Sequence, residues 1–414
     1  MSYYTAGIHN KQINPTTNST NFRTEFRLND PNAVYLTDMR ICNIAFKGTA
    51  GKDINQLSGL NSLIKNLTLF DGNVVLDQVL NYDLYSAFRC YNKTNDDAIA
   101  TNHFLKKNNI GTITEGAVDG TTSEQLVRVN NAVKSTGADA TTPKSWISLK
   151  DYLAILDESL YLPTAIFKDL RLVIEYNTNL SDIMPNGSEG ISTLTPFLIV
   201  NELTSPDAIA GIMKQYNGVV FRPLEHSRVT VPALAPTAAD PNPAQDVTFT
   251  LNSYNNKTLQ RLLMIKTPVS TSSTFYGKLG SIAQHEEENQ ININGANLLP
   301  QSGITSRNEA KAMLYDLWGD AVDLVGASWL PDANNAVADA EQTLGELDYR
   351  SVMVENFVQD FQVQFKRKGQ YKAGTADEIQ FQQRYNQQIQ LNLFGEVNKL
   401  LSINPDGTYI IRYV

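Results

Sequence analysis

The chain has 414 residues, 42% of them hydrophobic and 19% charged, and its 43 acidic and 34 basic residues give a net charge of −9. This apolar fraction excludes a disordered chain, and the acidic balance disfavours specific binding to nucleic acid phosphates. At ~100–200 residues per domain the length predicts two domains. No run of ~18 apolar residues occurs and the N-terminus lacks a basic and apolar leader pattern, so neither a membrane span nor a secretory signal is predicted.

Alternation of apolar and polar residues predicts β-strands along most of the chain. They cover Phe22–Leu28, Val34–Phe46, Leu63–Phe70, Phe167–Tyr176, Phe197–Leu203, Gly218–Pro232, Val247–Leu251, Arg261–Pro268 and Val352–Lys366. The clearest strand begins at Ile389 and continues through Ile403, and the turn at Pro405-Asp406-Gly407 returns it onto Thr408–Val414. Asp71-Gly72 predicts a second hairpin.

Helical patterns are few and short. One predicted helix opens at Ser148 and stops at Pro163, a second runs from the capping box at Ser306 to Trp318, and a weaker one covers Asn81–Cys90. Many strands with a few helices predict an all-β architecture rather than alternating βαβ units.

Long polar stretches separate the predicted strands. Asn92–Lys144, Pro232–Pro243 and Gly319–Leu347 are expected to be surface loops, because stretches of this composition seldom lie inside a compact core. Residues Met1–Thr20 are polar without strand alternation and are interpreted as an N-terminal arm.

A faint internal similarity indicates a duplication. Phe26-Arg-Leu28-Asn29 matches Phe249-Thr-Leu251-Asn252 at an offset of 223 residues, and Leu36 with Leu259 and Asp71-Gly72 with Asn294-Gly295 keep the same offset. Two similar β units are therefore predicted, at residues 21–185 and 186–414, with the junction inside the segment 177–196.

Catalytic and metal-binding patterns are weak. His9, His103, His226 and His285 have no ligand spacing. His226 has polar neighbours, but adjacent strand residues point to opposite faces, so a polar strand face is favoured over catalysis. The acidic run Glu286–Glu288 is interpreted as a solvated loop rather than a cation site. No catalytic, cofactor-binding or metal residues and no cofactor are predicted, and the chain is not expected to be an enzyme.

The two cysteines, Cys42 and Cys90, are expected to be buried free thiols rather than a disulfide. The basic cluster Lys366-Arg367-Lys368 is the concentrated positive patch of the sequence. It has two interpretations, a solvated turn between strands and a contact with phosphates or anionic lipid head groups.

Two segments carry a resemblance to a known family. Leu160-Tyr-Leu-Pro163 followed by Phe167–Tyr176, and Asn392-Leu-Phe-Gly-Glu396 through Tyr409–Tyr413, look like the ends of the two jelly rolls in polinton-like and virophage capsid proteins. The chain therefore resembles the double jelly-roll major capsid proteins, a group that also includes the adenovirus hexon. The resemblance covers most of the chain in layout and about 40 residues in motif.

The resemblance implies two tandem eight-stranded antiparallel jelly rolls with a few short helices and long loops. It implies a structural major capsid protein, assembled in the host cytoplasm or nucleus, that forms homotrimers as pseudo-hexameric tiles of an icosahedral virion. The implied partners are neighbouring capsomers and minor capsid or penton proteins. An internal membrane, met through the N-terminal arm or Lys366-Arg367-Lys368, is a further implied partner.

Two other functions are weighed against this one. A carbohydrate- or receptor-binding viral β-sandwich, such as a fibre, spike or minor capsid protein, would present exposed aromatic residues such as Trp146 or Trp329. A β-sandwich hydrolase would use carboxylate pairs such as Asp157 with Glu158 or Glu286 with Glu288. Neighbouring carboxylates seldom reach the ~5–9 Å facing separation that such chemistry needs, so this function is disfavoured.

Overall fold

The computed structural model describes residues 7–19, 22–28, 30–43, 61, 63–86, 109–118, 121–129, 146–178, 195–235, 237–240, 245–269, 289–293, 296–297, 352–356, 371–372, 378–383 and 388–414. The predicted helix from Ser306 to Trp318, the loop Gly319–Leu347 and the thiol of Cys90 lie outside these residues.

Two antiparallel sheets dominate the first half. Its strands are β1 (Ile8–Ile13), β2 (Thr17–Ser19), β3 (Arg23–Arg27), β4 (Val34–Leu36), β5 (Arg40–Cys42), β6 (Ile64–Asp71), β7 (Val74–Leu80), β8 (Asn109–Val118), β9 (Thr121–Val129), β10 (Trp146–Ser148), β11 (Tyr161–Pro163), β12 (Leu170–Tyr176) and β13 (Phe197–Leu203). In the described part of the chain, one sheet has the order β2-β3-β12-β6-β7 and the other the order β10-β5-β13-β4-β11 with β1 beside β13.

The second half adds further antiparallel sheets. Its strands are β14 (Gly218–Phe221), β15 (Leu224–Val231), β16 (Gln245–Thr250), β17 (Thr258–Pro268), β18 (Asn289–Ile293), β19 (Ala296–Asn297), β20 (Val352–Asn356), β21 (Tyr371–Lys372), β22 (Glu378–Gln383), β23 (Ile389–Val397), β24 (Lys399–Ile403) and β25 (Tyr409–Tyr413). The described strands form the orders β15-β23-β17-β20, β16-β22-β18-β19 and β14-β24-β25, and β21 pairs with β17.

The same sheet order occurs in both halves. In β3-β12-β6-β7 and in β15-β23-β17-β20, the strand that comes first in the chain pairs with the one that comes last of the four. That last strand pairs on its other side with the second strand, which pairs with the third. Phe26 lies in β3 whereas Phe249 lies in β16, and the topological equivalent of β3 is β15. The offset of 223 residues therefore matches strands that are not equivalent, although the sheet order itself is repeated.

The helices are short. Described helices are α1 over residues 82–86, α2 (Ala154–Asp157) and α3 (Pro206–Gln215), with 3₁₀ turns at Leu149–Asp151, Thr164–Ile166 and Asn252–Tyr254. None of them has the length and apolarity to cross a bilayer. Helix α3 was not predicted. Its sequence does contain a helix start signal, Ser205 followed by Pro206, and in the structure the Ser205 side chain accepts a hydrogen bond from the amide of Ala208.

The helix predicted from Ser148 to Pro163 is wrong. Residues 146–148 form β10, and Leu153 has an extended backbone, with φ −95° and ψ 110°, that separates the 3₁₀ turn from α2. The side chain of Leu160, which the prediction placed on the buried face, is 71% exposed. The residues at the two ends of the predicted helix pair as strands instead, β10 with β5 and β11 with β4.

Three other local predictions need correction. The N-terminal arm contains strands, because β1 pairs with β13 and β2 with β3. The stretch from 92 to 144 contains the paired strands β8 and β9. The long strand from Ile389 to Ile403 breaks at Asn398, where the chain passes from the sheet of β23 to that of β24.

Strand β13 bears on the boundary between the units. It pairs with β1, β4 and β5, so residues 197–203 lie in a sheet of the first half although they follow the predicted boundary at 185/186. The division into two domains stays a proposal. The pairing favours a junction at residues 204–217, which contain α3.

Buried apolar residues of both halves form one connected core. Its largest fully buried side chains are Tyr35, Tyr82, Tyr254, Phe26 and Phe221. Cys42 is a buried free thiol, and burial raises the pKa of this thiol. The two halves are therefore joined by continuous apolar packing.

Candidate functional site at the seam between the two units

The seam is the contact of β7 and α2 in the first half with β14 and β15 in the second. Strands β7 and β15 are the facing edges of their sheets, and no backbone pairing between them occurs in the described residues. Side chains therefore carry the contact between the two units.

His226 lies at the centre of the seam. Its Nε2 atom is 3.0 Å from Nδ2 of Asn81 and 3.2 Å from Oδ1 of Asn392. Its ring packs on Phe394, with ring centroids 4.9 Å apart, and Phe394 also meets Tyr85 across the seam. Asn81 adopts φ 49°, a left-handed conformation that asparagine tolerates, and this turns the chain from β7 into α1. His226 is thus surrounded by amides and rings.

A second link joins β25, the C-terminal strand, to the end of β6. The hydroxyl of Tyr409 donates to Oδ2 of Asp71 at 2.7 Å, while Oδ1 accepts the amides of Lys168 and Asp169 at 2.9 and 2.6 Å. The Tyr409 ring also lies 5.3 Å from the ring of Phe167. Burial and the Asp71 carboxylate raise the pKa of Tyr409, so this hydroxyl stays protonated as a donor.

A polar cleft of about 190 Å³ lies beside the seam. Arg222 crosses it and donates from Nε to Oε1 of Glu158 at 2.8 Å. Glu158 raises the pKa of Arg222 against an opposing desolvation effect. Nη1 of Arg261 lies 3.5 Å from Glu396 on the far wall. Each arginine in the cleft is therefore compensated by a carboxylate.

Asp77 is a buried carboxylate at the seam, with 1% of its surface exposed. Its Oδ2 atom accepts the amide of Ile155 at 2.9 Å and so caps α2, while Oδ1 has no hydrogen-bond partner. Burial raises the pKa of Asp77 to about 7, against the lowering effects of backbone amides and of Lys399.

Lys399 belongs to a charged cluster in the second half. Its Nζ atom lies 3.9 Å from Oε1 of Glu225 and 4.9 Å from the centre of the Tyr413 ring. Glu225 also pairs with Lys257 and accepts from the Tyr413 hydroxyl. Desolvation lowers the pKa of Lys399, with Glu225 and Asp77 acting against it.

The outer face of the sheet β14-β24-β25 exposes aliphatic side chains. Val220 and Ile410 are 53% and 49% exposed, and the strand register places both on the same face as Leu400. The opposite face, with Leu401 and Ile411, packs on the core. Aliphatic residues exposed together on one face are typical of a surface that another molecule covers.

The residues singled out from the sequence are only partly brought together. Asp157 and Glu158 both line the cleft, where Glu158 is engaged by Arg222. Trp146 lies in β10, but its side chain is outside the described residues, as are Glu286, Glu288, Trp329, the cluster 366–368, His103 and His285. The carbohydrate-binding alternative therefore stays a prediction.

The sequence reasoning missed the principal residues of the seam. Asp77 stands beside Gln78 among the apolar residues of β7, and a carboxylate within an apolar run is a signal that could have drawn attention to it. Tyr409 and Arg222 carry no such signal, because their partners lie 338 and 64 residues away along the chain.

Comparison with solved structures gives the fold. The chain is similar to VP54 of PBCV-1, in a crystal structure fitted to a reconstruction of the virophage Sputnik, with TM-score 0.61 and 13% identity over 99% of this chain and 97% of that one. The Faustovirus major capsid protein has TM-score 0.59 and 9% identity, over 96% of this chain and 90% of that one. The mavirus major capsid protein has TM-score 0.54 and 10% identity, over 98% of this chain and 90% of that one. The chain has the double jelly-roll fold.

This fold confirms the all-β prediction, which was made from strand periodicity, and the resemblance to the double jelly-roll capsid proteins. No family model and no curated protein sequence matches the chain. At 9–13% identity, a shared sheet architecture is what the chain and these capsid proteins have in common.

Proposed function

We propose that this chain is the structural major capsid protein of an icosahedral virion, and that three copies associate into a pseudo-hexameric tile. The observation that carries the proposal is the repeated sheet order of β3-β12-β6-β7 and β15-β23-β17-β20 in one chain. Solved structures with this architecture include the major capsid proteins of mavirus and Faustovirus.

The geometry of the tile follows from the two units. Three chains with two similar sandwiches each present six similar units around a threefold axis, which approximates the sixfold outline that fills a surface. Such a ring requires a heterologous contact that closes after three copies. It also requires the two units of one chain to keep a fixed relation, and the seam links of Tyr409 to Asp71 and of Arg222 to Glu158 support this.

We further propose that the chain is not an enzyme. The seam carboxylates Asp71, Asp77 and Glu158 accept hydrogen bonds from backbone amides, a tyrosine hydroxyl or an arginine of the same chain. These contacts support a structural role for the carboxylates.

The mass of the purified chain tests the proposed trimer. Light scattering after size exclusion, repeated over a range of micromolar concentrations, is expected to give three times the chain mass of 45.9 kDa. A monomer at every concentration would overturn the proposal, because a capsid tile must form before the shell does. Electron microscopy of the same sample is expected to show particles with a pseudo-hexagonal outline.

The membrane partner of the proposed tile needs a separate experiment. Residues 8–13 and 17–19 of the arm are already paired with β13 and β3, so the arm has fewer free residues for reaching a lipid surface than its composition suggested. Flotation with anionic vesicles should be compared between the native chain and a variant with alanine at Lys366, Arg367 and Lys368. Equal flotation of the two proteins would exclude this cluster as the lipid contact.

A further inference from the structure

The most unusual group in the seam is the carboxyl of Asp77. It is as inaccessible as the apolar core around it, and one of its two oxygens has no hydrogen-bond partner. An ionised carboxylate in this position would be compensated by backbone amides alone, with Oδ1 unbonded and no cation of the described residues within 4.0 Å, whereas a protonated carboxyl carries no net charge. The environment of Asp77 therefore favours its protonated form.

The groups that face Asp77 come from three elements. Helix α2 offers the backbone amides of Ala154 and Ile155, and β7 offers the amide of Gln78. The side chain of Lys399 acts from β24, but no ion pair within 4.0 Å joins it to Asp77, and its Nζ atom is instead near Glu225. Asp157 and Glu158 lie at the far end of α2, where Glu158 is engaged by Arg222.

We propose that Asp77 is a proton-operated latch within the first half, beside the seam: the protonated carboxyl holds β7 closed against α2, and loss of the proton loosens this contact. When β7 separates from α2, water can solvate the carboxylate, whereas the closed contact excludes water from it. Glu225 and the Tyr413 ring hold the ammonium group of Lys399, so that it forms no ion pair with Asp77. The latch lies within one chain and acts in a monomer as well as in a trimer.

The direction of the pH effect follows from linkage. The pKa of Asp77 is about 7 in the folded chain against an ordinary value of 3.8, so the folded state binds the proton more tightly. Its contribution to stability is fully present below pH ~4 and is lost as the pH rises through about 7.

Hydrogen exchange tests the latch. Protection of the Ile155 amide and of β7, corrected for the intrinsic rate, is expected to fall at least tenfold between pH ~6 and ~8.5 in the native chain. The isosteric variant Asp77→Asn keeps an acceptor for the Ile155 amide without a titrating proton, and it should show equal protection at both pH values. The matched control is Asp83→Asn, which neutralises an equally buried carboxylate in α1 and should keep the native pH response.

Infrared spectroscopy of the native chain keeps the proposal testable if a variant does not fold. The carbonyl band of a buried protonated carboxylic acid should be present at pH ~6 and disappear by ~8.5. Absence of this band at the lower pH would overturn the proposal. So would native protection that is equal at both pH values, or an Asp77→Asn variant that loses protection as the native chain does.

Discussion

Gly395 lies in the middle of β23 because the ring of Tyr254 occupies the space of its missing side chain. A Cβ atom at Gly395 would lie 2.3 Å from Cε1 and 2.9 Å from Cζ of that ring. Tyr254 cannot easily move, because it is fully buried and its hydroxyl donates to the carbonyls of Glu225 at 2.9 Å and Leu393 at 3.2 Å. A glycine inside a strand often marks such a close approach.

We therefore expect Gly395→Ala to destabilise the chain strongly. Overpacking a filled core costs about 1–3 kcal/mol, and displacing the ring would also weaken the bifurcated hydrogen bond of the single hydroxyl proton, worth about 0.5–1.5 kcal/mol. The sum is a loss of about 1.5–4.5 kcal/mol in the free energy of unfolding, measured by urea denaturation. The matched control is Gly211→Ala in α3, where a Cβ meets nothing within 4 Å and helix propensity favours alanine by about 1 kcal/mol.

A double-mutant cycle identifies the cause. Tyr254→Leu creates space in the core, so it should cost less in the Gly395→Ala background than in the native background, and the coupling should reach about 1 kcal/mol or more. The reasoning would be refuted if Gly395→Ala were as harmless as Gly211→Ala, or if the two changes at positions 395 and 254 were additive.

Two seam links should differ in strength. Tyr409→Phe removes the donor to Asp71 and leaves that carboxylate with one partner fewer. Because Tyr409 is partly exposed, we expect the free energy of unfolding, measured thermally or in urea, to fall by about 1 kcal/mol. The control variant Tyr161→Phe should show no loss. Arg222→Gln breaks a partly exposed ion pair with Glu158, so its coupling energy should stay below about 1 kcal/mol and shrink further in high salt. A larger coupling that persists in salt would contradict this.

Local patterns predicted the strands where one face of the sheet is buried. Phe197–Leu203 has the predicted bounds, and the turns at Gly72 and Gly407 have the positive φ that their sequences require. The helix predicted after Ser148 failed because apolar spacing alone does not reveal that Asp77, far away in the sequence, caps the chain at Ile155. Tertiary contacts decided that segment, and they are not encoded in a window of neighbouring residues.

The seam was beyond prediction for a related reason. Its residues pair across separations such as 145 residues for Asn81 and His226 and 338 for Asp71 and Tyr409, and each is an ordinary polar residue in its own local sequence. The internal similarity also misled at the level of residues. The two halves share an order of strands, and a shared order is compatible with different spacing between equivalent strands, so a constant offset of 223 aligned β3 with β16.

The tandem arrangement gives each unit a cover for an edge that would otherwise be free. The outer edge of β3 is paired with β2 from the N-terminal segment, whereas in the described residues its equivalent β15 has no paired strand on that side and faces β7. An exposed sheet edge favours pairing with other chains. Side chains of the seam, such as Asn81 against His226, cover the facing edges of β7 and β15 instead. The two halves are thus joined by side-chain packing rather than by one continuous sheet, which is the arrangement that the proposed six-unit tile of three chains would require.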